Sequence, residues 1–123
     1  MESMAFVQPL KEGKFEEFKQ WADELAGGRA DDEHARRNDI GLNRLKIWLQ
    51  HTPSEMAIIY IEAEDMGSAL AKWYNHEHDH ETWVQSRLDD LVDRHDTFAG
   101  GTPTQLVYDW HPTHGPSREE HKV

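Results

Sequence analysis

Two runs of alternating residues joined by a short turn constrain the fold of this chain more than any other feature of its sequence. The runs cover 42–50 and 56–64, and the HTPSE segment between them contains Pro53 and Ser54. Runs rich in β-branched and aromatic residues on either side of such a turn are typical of a β-hairpin. The sequence therefore predicts two antiparallel strands around which the rest of the chain is organised.

The two faces of this hairpin differ in composition. One face carries only aliphatic side chains: Leu45, Ile47, Leu49, Ala57, Ile59, Ile61 and Ala63. We expect this face to pack in the core, because the side chains of a strand alternate between its two faces. The opposite face places Trp48, Ile58 and Tyr60 among charged residues. Large apolar side chains are unusual on a sheet face left in water, so we expect something to cover them.

The remaining segments predict two further strands, at 4–8 and 105–110, and helical patterns at 13–28 and 65–93. The polar segment 29–38 predicts a short exposed helix or turn, because its acidic residues come first and its arginines last. A single helix over 65–93 would be roughly 40 Å long, too long to lie across a small sheet. We therefore expect a helix break around Asp79 and His80.

The order of these elements is that of the split βαβ, ferredoxin-like fold. It predicts an α+β domain over 1–110, with a four-stranded antiparallel sheet covered by helices on one face only, and a polar C-terminal tail over 111–123. A second copy of the same sheet is the simplest cover for Trp48, Ile58 and Tyr60. We therefore expect a homodimer that forms through the open sheet face.

Several residues resemble those of the dimeric α/β-barrel superfamily, whose members pair two such sheets face to face. They are Gly13-Lys14 at the start of the first helix, Trp21, Leu25, Arg29, Gly41 and Glu55-Met56 at the start of a strand. To about Trp110 the chain is similar to a group of uncharacterised bacterial domains of this fold and, more distantly, to antibiotic-biosynthesis-monooxygenase-like proteins. The resemblance implies a dimeric α/β barrel. It implies no single activity, because the superfamily includes cofactor-free monooxygenases as well as proteins with no known reaction.

Charge and composition argue against several classes of partner. The formal net charge of −11 at pH 7 would repel a phosphate backbone, so we expect no nucleic-acid partner. No apolar stretch approaches membrane-spanning length and no signal-peptide pattern opens the chain, so we expect a cytoplasmic protein with no membrane partner. The absence of cysteine excludes disulfides and thiolate chemistry.

The run HEHDH at 76–80 is the motif most suggestive of chemistry. It formally satisfies H-E-x-x-H, in which two histidines share a helix face and bind zinc while the glutamate acts as a base. Charged Asp79 and Glu81 spoil the apolar flanks of such a helix, and no third ligand is specified. A solvated junction between helices is the simpler interpretation. We therefore expect no metal ligands here, and no stoichiometric metal on elemental analysis of protein purified without a histidine tag.

Two groups of residues are candidates for a small-molecule site that needs no cofactor. The resemblance to the monooxygenase branch implies a histidine at the end of the second helix, facing a cavity between helix and sheet, and His76 or His80 is similar in position. Either could act as a catalytic base or as a donor that positions a ligand. The candidate ligand-binding residues are Arg44, Trp48 and Tyr60, which are neighbours across the hairpin, and Trp73, which shares a helical face with His80 if the helix continues. Dimer contacts are the competing interpretation of the hairpin residues.

The leading hypothesis is thus a homodimeric domain that binds a small molecule between sheet and helices, with a cofactor-independent, monooxygenase-like enzyme as its catalytic form. A non-catalytic structural or interaction dimer is the alternative, and metal binding through 76–80 is a third hypothesis. An enzyme should have a closed cavity lined by His76 or His80 together with Trp48 or Tyr60. A structural dimer should have that space filled by side chains. The sequence does not identify the substrate.

Overall fold

The structure is a computed structural model that describes residues 1–75, 79–93 and 106–117. Over these residues the chain is α+β, as predicted. Its elements are β1 (Glu2–Pro9), α1 (Phe15–Ala26), α2 (Ala30–Ile40), β2 (Leu42–Gln50), β3 (Met56–Ala63), α3 (Met66–Asn75), α4 (Asp79–Leu91), β4 (Asp109–His111) and β5 (Gly115–Ser117). No helix within the described ranges is both long enough and apolar enough to cross a membrane.

The predicted hairpin forms the main sheet. β3 lies at its centre and pairs antiparallel with β1 on one side and with β2 on the other. The register places Val7, Ile58 and Trp48 in one row across the three strands. At the free edge of β1, Val92 forms an isolated bridge with Leu10 just after the end of α4.

The bounds and the pairing of the last strand differ from those predicted. Among the described residues the main sheet has three strands rather than four, and 106–108 adopts no regular structure. β4 instead pairs with β5 in a separate two-stranded sheet, running across the predicted start of the tail at 111. Gly115 adopts a φ of 73°, which lets the chain reverse directly after His111. A local hairpin closes a much shorter loop than pairing with the distant β1 would require.

The first helix has an apolar stripe, in keeping with the helical pattern predicted over 13–28. Phe18, Trp21 and Leu25 are buried at helical spacing, and Gly27 follows the last residue of the helix. Their side chains pack against the aliphatic face of the sheet, where Ile59 and Ile61 are buried. The same face of β2 is only partly buried because β2 lies at the edge of the sheet.

The segment predicted as a short exposed helix or turn is an eleven-residue helix, α2. The prediction of a helix is confirmed, but the prediction of full exposure is wrong, since Glu33, Arg36 and Ile40 are buried. The acidic first turn and Arg37 in the last turn suit the helix dipole. α2 therefore presents a largely polar face to the interior of the protein.

The segment after β3 is helical on both sides of 76–78. α3 ends at Asn75 and α4 begins at Asp79, so the predicted break around Asp79 and His80 does not fall at those two residues. His80 lies within the first turn of α4, and not at a break. The residues at 76–78 lie outside the described part of the chain.

Replacing Phe18 with alanine should lower the free energy of unfolding by about 3–5 kcal/mol, as for other large-to-small changes in a core. Phe18 is fully buried and its ring packs edge-on against Trp21 with centroids 5.2 Å apart. The half-buried Phe15 of the same helix supplies a matched control, and its replacement should cost clearly less. Urea unfolding at one fixed protein concentration measures both losses. A loss below about 1 kcal/mol for Phe18→Ala would contradict the assigned core face.

Candidate functional site

Four ionisable side chains meet between α2 and α4 in the interior of the protein. Glu33, Arg36, His80 and Glu81 have exposed fractions of 2%, 3%, 3% and 2%. We refer to these four residues as the buried ionic cluster. Charged side chains are almost never buried to this degree unless they are paired, so each member of the cluster should have a partner of opposite charge or a hydrogen-bonding partner.

Arg36 lies between the two carboxylates. Its Nε and Nη2 both donate to Glu81, with Nη2 3.5 Å from Oε1, and its Nη1 donates to Glu33 Oε1 at 2.9 Å. Glu33 Oε1 also accepts from Arg37 Nε at 3.1 Å, while Glu33 Oε2 lies 2.8 Å from His80 Nε2. Each carboxylate oxygen in the cluster therefore has a hydrogen-bonding partner.

Helical spacing explains how the sequence assembles this cluster. Glu33, Arg36 and Arg37 are three and four residues apart, so they share one face of α2. His80 and Glu81 are adjacent in the first turn of α4 and point in different directions, one to Glu33 and one to Arg36. Two faces with complementary charge thus meet along the contact between the helices.

Burial makes this arrangement costly. Removing an ion from water costs several kcal/mol even after relaxation, and attraction between the ions offsets that cost only when geometry and hydrogen bonding are good. Apolar side chains of similar volume often give equal or greater stability. Burial of the cluster is therefore weak evidence that it stabilises the fold. Its hydrogen bonds depend on orientation, so they favour one specific arrangement of α2 against α4.

Tryptophan rings flank the cluster. Trp83 stacks on His80 with ring centroids 5.8 Å apart, and the guanidinium of Arg29 lies 3.8 Å from the centre of the Trp83 ring. The guanidinium of Arg36 lies 5.1 Å from the ring of Trp73. Both rings place aromatic surface beside charged groups, a favourable cation–π arrangement that also limits the access of water.

An apolar cavity adjoins the cluster between the helices and the sheet. Its lining residues are Phe18, Trp21, Leu25, Glu33, Arg36, Leu45, Ile47, Ile59, Trp73, Val84 and Leu88. The space that a water molecule could occupy is about 30 Å³, while the whole gap between the lining residues, including the part open to solvent, is about 390 Å³. The first volume accommodates a water-sized molecule, and a larger ligand would have to extend towards solvent or displace side chains.

The structure brings together some of the predicted site residues. Trp73 lines the cavity, and His80 belongs to the buried ionic cluster. His80 does not itself line the cavity, but it pairs with Glu33, which does. His76 falls in the segment 76–78, outside the described residues.

The other predicted ligand-binding residues lie on the opposite side of the sheet. Arg44, Trp48 and Tyr60 occupy its outer face, where Trp48 is 51% exposed. The Tyr60 hydroxyl donates to Glu62 Oε1 at 2.8 Å on this face. Because the sheet separates this group from the cavity, the expected cavity lined by histidine together with Trp48 or Tyr60 is not found among the described residues.

Sequence reasoning missed Glu33, Arg36 and Glu81. The segment 29–38 is predicted to be exposed because almost all of its residues are polar, and α2 accordingly shows no apolar stripe. The absence of that stripe is itself the overlooked signal, since a helix with so few apolar residues can pack on a core only by burying polar ones. Across residues 1–75, 79–93 and 106–117, no three histidine or acidic side chains are arranged to hold a metal ion.

Comparisons with known proteins identify no relative of this chain. No protein-family model, no curated protein and no solved structure matches the chain. The resemblance to the dimeric α/β-barrel superfamily stays a prediction, and the site has to be interpreted from its own chemistry.

Replacing Arg36 with methionine should lower the free energy of unfolding by about 3–5 kcal/mol, because it leaves Glu33 and Glu81 buried without the guanidinium. Arg37 is the matched control, since it binds the same Glu33 from a partly exposed position. Arg37→Met should cost less than about 1 kcal/mol. Chemical denaturation measures both, and equal losses would contradict the assigned roles.

Proposed function

We propose that this chain is a small-molecule-binding domain that acts as a homodimer, with its ligand site in the cavity between the helices and the sheet. The observation that carries the proposal is the position of the buried ionic cluster beside an apolar cavity. Ligand sites in proteins are typically apolar pockets with a few convergent polar groups. Glu33 and Arg36 are the charged residues of the lining here, while the surface that the cavity presents is almost wholly apolar, so their charged groups lie behind its wall.

Part of the cavity wall is close to solvent. Leu45, Ile47, Trp73 and Leu88 line the cavity and are only partly buried. In this proposal the apolar body of a ligand lies between these four side chains. The enclosed space of about 30 Å³ is far below the roughly 300–1,000 Å³ of small-molecule sites, so a ligand would have to displace side chains or lie partly in solvent.

A cofactor-independent, monooxygenase-like enzyme is the catalytic form of this proposal. Glu33 lies between His80 and the cavity, and its Oε2 is 2.8 Å from His80 Nε2. This distance suits proton transfer within a carboxylate–imidazole pair. In this form the Glu33–His80 pair would be the proton-transfer group that lies behind the cavity wall.

The outer face of the sheet supports the proposed homodimer. Val7, Ile58 and Trp48 form an apolar row across it, and Val7 and Trp48 are both exposed in the single chain. Pairing two such faces would complete the dimeric α/β barrel that the ferredoxin-like order of elements predicts, with a total buried area on the order of 1,500 Å². The small inner volume of the cavity favours a second candidate, a structural dimer without a ligand.

A thermal-shift screen of small molecules should find compounds that raise the melting temperature, because a ligand that binds only the native state stabilises it by about 2.7 kcal/mol at a hundred times its Kd. Ile47→Phe should abolish the shift by filling the cavity that Ile47 lines. Leu49→Phe is the matched control, since Leu49 lies on the same strand face but outside the cavity. A shift that survives Ile47→Phe would place the site elsewhere, and a screen without any shift would favour the structural dimer.

Light scattering at micromolar concentration should show a dimer for the natural chain and a monomer for Tyr60→Arg. The substitution places an unpaired charge in the proposed contact. Gln20→Arg adds the same charge at an exposed position of α1 and should leave the dimer intact. A monomeric natural chain at this concentration would contradict the proposed assembly.

A further inference from the structure

Residues 106–117, which we call the C-terminal arm, form their own two-stranded sheet and do not pair with the main sheet in the described part of the chain. From the apolar face of the arm and the free edge of β2 we infer that the arm of one chain adds to the β2 edge of a second copy and closes the cavity there. The inference rests on the homodimer of the proposed function. It adds the segment that each chain contributes to the ligand site of the other.

The C-terminal arm exposes four large apolar side chains. Leu106, Val107, Tyr108 and Trp110 are all exposed, the tyrosine by 65% and the tryptophan by 59%. β4 and β5 have three residues each, and among the described residues each pairs only with the other. An isolated hairpin of two strands is at best marginally stable in water. The arm therefore needs another surface to pack on.

The outer edge of β2 is a surface that can accept an extended segment. β2 lies at the end of the strand order and pairs with β3 alone among the described residues. Its nine residues thus present backbone N–H and C=O groups on a side where no described strand binds them. A segment of another chain can add to such an edge, and the backbone hydrogen bonds then supply affinity. Residues 106–108 have no regular structure, so they can extend β4 along this edge.

The apolar side chains of the two segments match. Leu106, Tyr108 and Trp110 share one face of an extended arm, because side chains alternate along a strand. β2 carries Leu45 and Ile47 on its aliphatic face, and both are only partly buried because β2 is an edge strand. A strand added at this edge covers them with the apolar face of the arm.

The charges on the opposite face also match. Arg44 and Lys46 are exposed on the outer face of β2, in a chain whose net charge is −11. When the apolar face of the arm lies on the aliphatic side, the period-two alternation directs Asp109 to the outer face, beside these two cations. Opposite charges on neighbouring strands stabilise a sheet, whereas pairing two β2 edges would bring like charges together. Charge therefore favours the arm over a second β2 strand at this edge.

A second copy is the partner because a single chain leaves both segments uncovered. Within one chain the arm and the β2 edge are both present, and the described residues do not pair them with each other. Two chains related by a two-fold axis can exchange arms, so that each β2 edge is covered once. The same axis relates the outer sheet faces, with Val7 and Trp48, in the proposed homodimer. Arm exchange thus extends that face-to-face contact.

Arm exchange also completes the ligand site. Leu45 and Ile47 line the cavity as well as the β2 edge, so the arm of the second copy lies against the part of the wall that is near solvent. Its Tyr108 and Trp110 then close that side. A ligand too large for the enclosed space of about 30 Å³ is held between the lining residues and this arm, and it is shielded from solvent.

Cross-linking between two distinguishable chains tests the exchange. The chain contains no cysteine, so introduced cysteines are its only thiols. Val107→Cys marks the arm, and Asn43→Cys and Gln50→Cys mark the two ends of the β2 edge. An isotopically heavy arm variant is left to exchange subunits with a light edge variant and is then treated with a short bis-maleimide. We expect one of the two edge variants to give a product that joins a heavy and a light chain, which mass spectrometry identifies. Gln20→Cys, at an exposed position of α1, replaces the edge variant as the control and should give only background.

An intermolecular nuclear Overhauser effect tests the same contact without cysteines. In a dimer of one chain with ¹³C-labelled isoleucine methyl groups and one unlabelled chain, the Ile47 methyl signal, identified by its loss in Ile47→Val, should show contacts with aromatic protons of the unlabelled chain. Tyr108→Asp should raise the dissociation constant of the dimer by about tenfold or more, because it places a charge against the aliphatic edge. Thr113→Asp adds the same charge in the exposed turn of the arm and should leave the constant unchanged.

The contrary outcomes separate this inference from the proposed function. A chain that carries both Val107→Cys and an edge cysteine and cross-links only within itself would place the arm on its own β2 edge, and so overturn the exchange. A dimer without cross-links above background and without intermolecular contacts at Ile47 would overturn the inference and leave the proposed homodimer in place. A monomeric natural chain would overturn both.

Discussion

The contact of Arg36 with two buried carboxylates is the interaction on which the arrangement of the helices depends. α2 has few apolar residues to hold it on the core, so its position rests on Ile40 at one end and on the pairs that join it to α4, Arg36–Glu81 and Glu33–His80. Apolar packing tolerates small shifts in register, whereas hydrogen bonds to a planar guanidinium require defined positions and directions. The ion pairs therefore fix how α2 lies against α4. The positions of the side chains between these helices and the sheet therefore depend on these ion pairs.

The cluster and the cavity divide the interior into two environments. On one side, charged groups are neutralised by one another and shielded by Trp73 and Trp83. On the other, aliphatic and aromatic side chains leave a gap that the protein does not fill. Arg36 belongs to both environments, because it completes the ion pairs and also lines the gap.

Local patterns in the sequence account for most of the fold but for little of the site. The period-two alternation of β2 and β3 and the apolar stripe of α1 predict their structures, because each pattern repeats the geometry of its own element. α2 has no such stripe, and its burial follows from pairings across the chain. Arg36 and Glu81 are 45 residues apart, and Glu33 and His80 are 47 residues apart. Among the residues of the site, only His80 and Trp73 were visible as candidates, through a motif and a helical face. β4 was misassigned because alternation predicts a strand without specifying its partner.

The connection between α2 and β2 is a single residue. α2 ends at Ile40, Gly41 adopts a φ of 91°, and β2 begins at Leu42. Glycine accommodates this conformation without strain, and so short a connection leaves the helix and the strand little freedom to move independently. α2 and β2 are thus closely linked in the chain, while Trp73 on α3 and Leu88 on α4 line the cavity from other elements. Widening the cavity would require α2 and β2 to move away from α4. The salt bridge from Arg36 to Glu81 on α4 opposes that movement.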